Sequence, residues 1–160
     1  MNVKRVLFVC TGNSCRSVMA QGLMQQLLAR AGFDSIQVES AGVFAIDGMG
    51  PTRETARVLL EAGIDCSTHR ARSVTIAMIN DADLIFVMEP FQGEELLRRV
   101  PSARANIHLL KTYNAPPPAE GERVNIPDPI GKPLEVYEVC FAEIREAVQR
   151  VVKSLGVRST

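Results

Sequence analysis

With 160 residues, 46% of them apolar and 22% charged, the chain has the size and composition of one globular domain with a single core. Its 18 basic and 18 acidic residues cancel, which argues against nucleic acid or an anionic membrane as the main partner and leaves any anion preference to a local site. No apolar run has the length of a membrane span or the layout of a signal peptide, and four cysteines are too few for a secreted disulfide scaffold, so a soluble cytoplasmic protein is expected.

Residues 4–10 (K-R-V-L-F-V-C) form a short β-branched and aromatic run, the pattern of a buried strand. Residues 11–14 are a polar turn, and Gly12 and Asn13 within it tolerate a positive φ. Over 17–31, Val18, Met19, Leu23, Leu27 and Leu28 recur at helical spacing, with Gly32 as a stop. Residues 35–41 read as a second strand. Residues 51–62 read as a helix that opens with Pro51, has Ala56, Leu59 and Leu60 as its apolar positions, and is ended by Gly63. A short helix over 73–80, a buried strand over 83–88, a helix over 90–99 and a strand over 106–110 follow. Residues 134–155 form a long amphipathic helix with Val136, Val139, Ile144, Val148 and Val151 among its apolar positions. Strands alternating with helices predict an α/β fold, a parallel sheet covered on both faces, within one domain spanning 1–160. Residues 113–129, rich in Pro and without periodicity, break the pattern as a long functional type of loop.

The most informative segment is C-T-G-N-S-C-R-S, Cys10 to Ser17. Cys10 ends the first strand, where open α/β sheets bind ligands. A loop leading into a helix N-terminus turns successive backbone N–H groups toward one point, which suits phosphate oxygens and favours the thiolate form of a thiol among them. Arg16 adds a planar fork for two oxygens of a transferring phosphoryl group. A thiolate needs no metal or cofactor to act as nucleophile. No metal site is expected in any case, because no cysteine pair has C-x2-C spacing and neither His69 nor His108 lies in a ligand cluster. Cys66 and Cys140 read as ordinary core or surface thiols.

On these residues the chain resembles the low-molecular-weight protein tyrosine phosphatases, a family that includes bacterial protein arginine phosphatases. The resemblance covers essentially the whole chain. It implies a four-stranded parallel sheet with helices on both faces, a phosphate-binding loop after the first strand, and hydrolysis of a phosphorylated protein or peptide through a phosphocysteine intermediate. Cys10 and Arg16 match the family's catalytic pair. Thr11, Gly12, Asn13, Ser14, Cys15 and Ser17 fall on its phosphate-binding loop. The resemblance gives Asn13 the task of stabilising that loop, with Ser17, Ser40 and His69 as partners, and it gives Cys15 a protective role under oxidation. A monomer is expected.

Thiolate attack on a phosphoester needs a proton donor for the leaving oxygen. Asp128, in N-I-P-D-P-I, matches the family's general acid, and Pro129 keeps its backbone out of the helical region. Several positions depart from the tyrosine-directed pattern. Ile130 and Gly131 stand after D-P where aromatic residues are common, Ser14 replaces a larger aliphatic residue, and Val18 stands where Pro often follows R-S. Ser14 and the S-A-G-V-F-A segment resemble the arginine-directed members, which keeps phosphoarginine as an alternative substrate. Thioredoxin-coupled arsenate reductases share the fold and loop, but their two relay cysteines have no counterpart over 67–139. A phosphocarrier would need neither Arg16 nor Asp128.

Overall fold

The run R-V-L-F-V-C forms β1 (Arg5–Cys10), and Val6 to Val9 are no more than 1% exposed. A strand buried on both faces needs neighbours on both edges. In the computed structural model, which describes residues 2–157, those neighbours are β2 (Gln37–Gly42) and β3 (Leu84–Val87). β4 (Ile107–Leu109) pairs with β3, which completes a four-stranded, wholly parallel sheet in the order β2-β1-β3-β4. The chain winds one way from β1 to β2 and the other way to β3 and β4. The C-terminal ends of β1 and β3 therefore flank the crevice where such sheets bind ligands. Cys10 ends β1, and Glu89 lies just past β3.

Successive side chains of β1 point to opposite faces. Val6 and Phe8 join the core under α1 (Arg16–Arg30), α2 (Arg53–Glu61) and α5 (Leu134–Ser154). Leu7 and Val9 join a second core under α3 (Ile76–Asp81), α4 (Pro90–Arg99) and the 3-10 turn Pro101–Asn106. Phe8 stacks on Phe86 at 5.6 Å between centroids, and Tyr113 meets Phe86 edge-on at 4.9 Å. Each such buried side chain contributes ~1.5–3 kcal/mol. The Tyr113 contact anchors the start of the Pro-rich loop to the sheet. No helix among the described residues is long and apolar enough to cross a membrane.

The helix stops fall where glycine predicts. Gly32 has φ +72° one residue past the α1 cap, with Phe33 N–H donating to Leu28 O at 2.9 Å; Gly63 does the same for α2 with Ile64 and Leu59. The starts differ more. α2 begins at Arg53, because Thr52 caps it and accepts the Thr55 amide, so Pro51 lies outside the helix. The helix expected from Ser73 begins at Ile76, since Ser73 and Val74 extend the sheet edge: Val74 N–H donates to Gly42 O at 2.9 Å and Thr75 caps the helix. The 3-10 turn before β4 has no periodicity and is not foreseen. Three apolar positions face outward instead of inward: Leu60, Val136 and Val139 are 66%, 40% and 60% exposed. The buried stripe of α5 runs instead through Tyr137, Cys140, Phe141, Ile144, Val148 and Val151.

Candidate active site

After Cys10 the chain turns so sharply that Asn13 adopts φ +53°, a conformation asparagine tolerates better than most residues. The freedom anticipated at Gly12 is not used, for its φ is not positive. The turn folds back on Cys10, and Asn13 N–H donates to Cys10 Sγ at 3.3 Å. The amides of Ser14, Cys15 and Arg16 donate to no acceptor among the described residues, as the first N–H groups of a helix must unless capped. Cys10, 2% exposed, therefore lies at the head of α1 beside a row of amides that have no protein acceptor, where a helix N-terminus favours an anion.

Arg16 opens α1 and is 1% exposed, which for a permanent cation demands partners. Its Nη1 donates to Glu89 Oε2 at 2.8 Å and to the Ile126 carbonyl at 2.7 Å. Nη2 lies 3.7 Å from Asp128 Oδ2, and Nε meets no acceptor among the described residues. Burial disfavours the charge. The attraction of the Cys10 sulfur, the Glu89 hydrogen bond and the Asp128 carboxylate outweigh it and raise the guanidinium above its usual value. One corner of the guanidinium is thus fixed by protein, while the Nε edge remains available for an anion at the sulfur. Asp128, 39% exposed, sits at the rim, with Oδ1 accepting the Ile130 amide at 3.1 Å and Oδ2 turned to Arg16.

Asn13, 0% exposed, fixes this geometry with its whole amide. Its Nδ2 donates to Ser17 Oγ at 2.8 Å and Ser40 Oγ at 3.0 Å, and its Oδ1 accepts the Arg72 amide at 3.1 Å. Ser17 Oγ already accepts from Asn13, so its own proton is free to donate to Cys10 Sγ at 3.0 Å. Ser40 Oγ–H donates to Gln21 Oε1. His69 Nε2 lies 2.9 Å from the Asn13 carbonyl, which can only accept, so this nitrogen carries the hydrogen. The resemblance-based set Asn13, Ser17, Ser40 and His69 is thus one connected network under the loop.

Other residues of the site carry no signal that the motif reading uses. Gly42 is the clearest. A Cβ there would lie 2.5 Å from the Thr11 carbonyl and 3.1 Å from the Asn13 amide nitrogen. Only glycine lets β2 approach the loop so closely. Gly42→Ala should displace the loop, lower stability by ~1–3 kcal/mol as over-packing does, and lower phosphatase kcat/KM. Thermal melting and an aryl phosphate assay check this, and wild-type values for both would show that the close approach is not needed. Cys15, 3% exposed, stands on the loop's far side against Thr52 Oγ1 at 3.5 Å and Tyr137 Oη at 3.9 Å. Burial pushes the Tyr137 hydroxyl up to about 12, and likewise the Cys140 thiol, so both stay protonated in neutral solution. All four cysteines are free thiols, and Cys66 is half-buried.

The same architecture recurs in known proteins. Residues 5–159 match the model of the family described as low molecular weight phosphotyrosine protein phosphatase. A probable low molecular weight protein-tyrosine-phosphatase of Ralstonia solanacearum is 36% identical over 146 residues, covering 91% of this chain and 92% of that protein. A protein-arginine-phosphatase of Geobacillus stearothermophilus is 32% identical over 151 residues, covering 94% and 95%. The crystal structure of a low molecular weight protein tyrosine phosphatase from T. tengcongensis superposes with a TM-score of 0.85 at 36% identity, covering 94% of this chain and 99% of that one. A family match that runs from β1 into the last residues, together with relatives and a solved structure alike over nearly the whole chain, leaves one assignment: the chain belongs to the low molecular weight phosphotyrosine protein phosphatase family.

Proposed function

We propose that this chain hydrolyses phosphotyrosine in proteins or peptides through a phosphocysteine on Cys10. The observation that carries the reading is the buried Arg16, whose Nε is unpartnered, at the head of a helix whose first amides, next in the chain after the Cys10 turn, also have no acceptor among the described residues. A phosphoryl group supplies the acceptors that this edge and these amides lack. In the first step Cys10 Sγ attacks phosphorus while the ester oxygen leaves with a proton from Asp128. In the second, water attacks the thiophosphate, Asp128 takes its proton, and inorganic phosphate departs with the thiolate restored. Thr11 to Ser17 and Arg16 hold the equatorial oxygens in both steps. Ser40 and His69 act through Asn13.

The rim supports an aryl ester. Phe44, Ile46 and Met49, on the loop after β2, are 63%, 68% and 54% exposed, and Phe44 N–H donates to the Thr11 carbonyl at 3.0 Å, beside the nucleophile. Ile130, two residues beyond Asp128, is 55% exposed. Apolar side chains around an anion cradle suit a ring carrying a phosphate. One observation favours the second reading, phosphoarginine. Ser14 is small and buried, and its hydroxyl meets only Cys15 Sγ at 3.7 Å, which leaves an oxygen for a guanidino nitrogen. Rates on matched phosphotyrosine and phosphoarginine peptides decide between them. A higher kcat/KM on phosphotyrosine is expected, and a preference for phosphoarginine would replace this reading with the second. Arsenate reduction by a thiol relay draws no support: Cys140 is buried with its thiol held protonated, and Cys66 lies in a half-buried turn after α2.

A further inference from the structure

Gln92 is a polar residue of α4 with 0% of its surface exposed. A buried amide is tolerated only where its donors and acceptors are met. Its Oε1 accepts two backbone amides, Met88 at 2.8 Å and Glu89 at 3.0 Å. Its Nε2 donates to Thr11 Oγ1 at 3.2 Å. The first pair of bonds explains why a glutamine suits the third position of a helix, where it closes half of a capping box. The bond to Thr11 is not required by the helix, and it reaches the residue immediately after Cys10.

The two ends of this bridge have different tasks. Met88 and Glu89 form the corner where β3 becomes α4, and Glu89 carries the carboxylate that grips Arg16 at 2.8 Å. Thr11 begins the loop, and its carbonyl is already held by the Phe44 amide. The loop amides and the Arg16 fork must face the same phosphoryl group, yet they are held by different strands. Gln92 joins the two supports through one rigid amide.

We infer that Gln92 is a positioning residue, which through Thr11 and the Glu89 backbone sets the loop and Arg16 in register for one phosphoryl group. This rests on the phosphatase reading above. It acts on the pentavalent geometry more than on substrate capture, because small misalignments weaken contacts that are fully made only in the transition state.

The test uses the full chain with phenyl phosphate as substrate and orthovanadate as the trigonal-bipyramidal probe. Thr11→Val removes the hydroxyl at constant shape, and Thr11→Ser restores it. Thr11→Val should lower kcat and weaken vanadate inhibition by about 10-fold each, the usual scale of one buried hydrogen bond, with KM nearly unchanged. Thr11→Ser, which keeps the hydroxyl, should recover most of the kcat and vanadate affinity that Thr11→Val loses. Gln92→Met, where it folds, should lose at least as much, and the double variant Gln92→Met/Thr11→Val should be no worse than Gln92→Met alone. A merely structural bond would lower the melting temperature and leave the vanadate constant of folded protein where it was. That result, equal behaviour of the Val and Ser variants, or simple additivity would overturn the inference while the phosphatase reading stands. Wild-type protein that neither cleaves the ester nor binds vanadate would overturn both.

Discussion

Replacing Cys10 with serine should reduce turnover by at least ~10,000-fold, the scale seen when a covalent nucleophile is removed, while phosphate still binds within about 10-fold of wild type. The cradle is the reason binding survives. Arg16 is held by Glu89 and the Ile126 carbonyl, and the loop is held through the Asn13 side chain and carbonyl by Ser40, Arg72 and His69, contacts that do not involve the sulfur. The chemistry does not survive, because the donors that serve Cys10 cannot make an alkoxide of serine. Asn13 N–H and the Ser17 hydroxyl supply hydrogen bonds to Sγ, and the α1 amides add a positive field. A thiolate is only weakly basic to begin with. A serine hydroxyl is more basic by many orders of magnitude and has no base beside it: the contacts of the Cys10 sulfur are an amide and another hydroxyl. Steady-state rates on phenyl phosphate, together with phosphate binding by calorimetry, check both halves. Substantial turnover by the serine variant would rule out a thiolate nucleophile.

The place of Cys10 at the mouth of the sheet was legible because three independent signals coincide on it: the end of a buried strand, a Gly-Asn turn, and an arginine at the head of an amphipathic helix. Each is a local property, and local properties survive into the fold. The central sheet was legible for the same reason, since short apolar runs such as D-L-I-F-V-M, bounded by polar or turn residues, fit the length of a buried strand better than that of a helix. Glu89 and Gln92 were not found, although the rule that located Cys10 applies to them as well. They follow the C-terminal end of β3, on the other side of the switch point, but strand order is not written in any one segment. Glu89 in M-E-P reads alone as a solvated cap. Gly42 shows the same limit from the other side. Its need for no side chain arises from the Thr11 carbonyl, 31 positions earlier in the chain and 2.5 Å from where a Cβ would be. The outward turn of Val136 and Val139 has a similar origin. α5 carries apolar residues on more than half of its circumference near its start, and only packing against α1 and α2 decides which stripe is covered.

Removing the carboxylate of Asp128 should be felt according to how badly the leaving group needs a proton. Asp128 stands outside the buried cradle, 39% exposed, on a loop that Pro129 and the Ile126 carbonyl anchor: Pro129 is buried, and the Ile126 carbonyl accepts from Arg16. Its Oδ2 approaches Arg16 Nη2 only to 3.7 Å, longer than a hydrogen bond, so the carboxylate does not hold the arginine as Glu89 does at 2.8 Å. That leaves it able to serve the oxygen that departs opposite the sulfur. A phenolate with the basicity of tyrosine leaves poorly without protonation, whereas a nitrophenolate delocalises its charge and leaves nearly unaided. Asp128→Ala should therefore slow a phosphotyrosine peptide or phenyl phosphate by about 100- to 10,000-fold, the range of general acid catalysis, and slow p-nitrophenyl phosphate much less. A phosphoarginine peptide would show the larger loss too, since its nitrogen must be protonated to depart. Vanadate inhibition should change little, because the loop amides and Arg16 are left in place. The pattern across leaving groups separates this role from a structural one. A carboxylate that only steadied Arg16 would, on removal, weaken the grip on the equatorial oxygens and slow every ester by the same factor. If that uniform loss is observed together with weaker vanadate binding, Asp128 belongs to the support of Arg16, and the proton must come from another group on the loop between Tyr113 and Pro129.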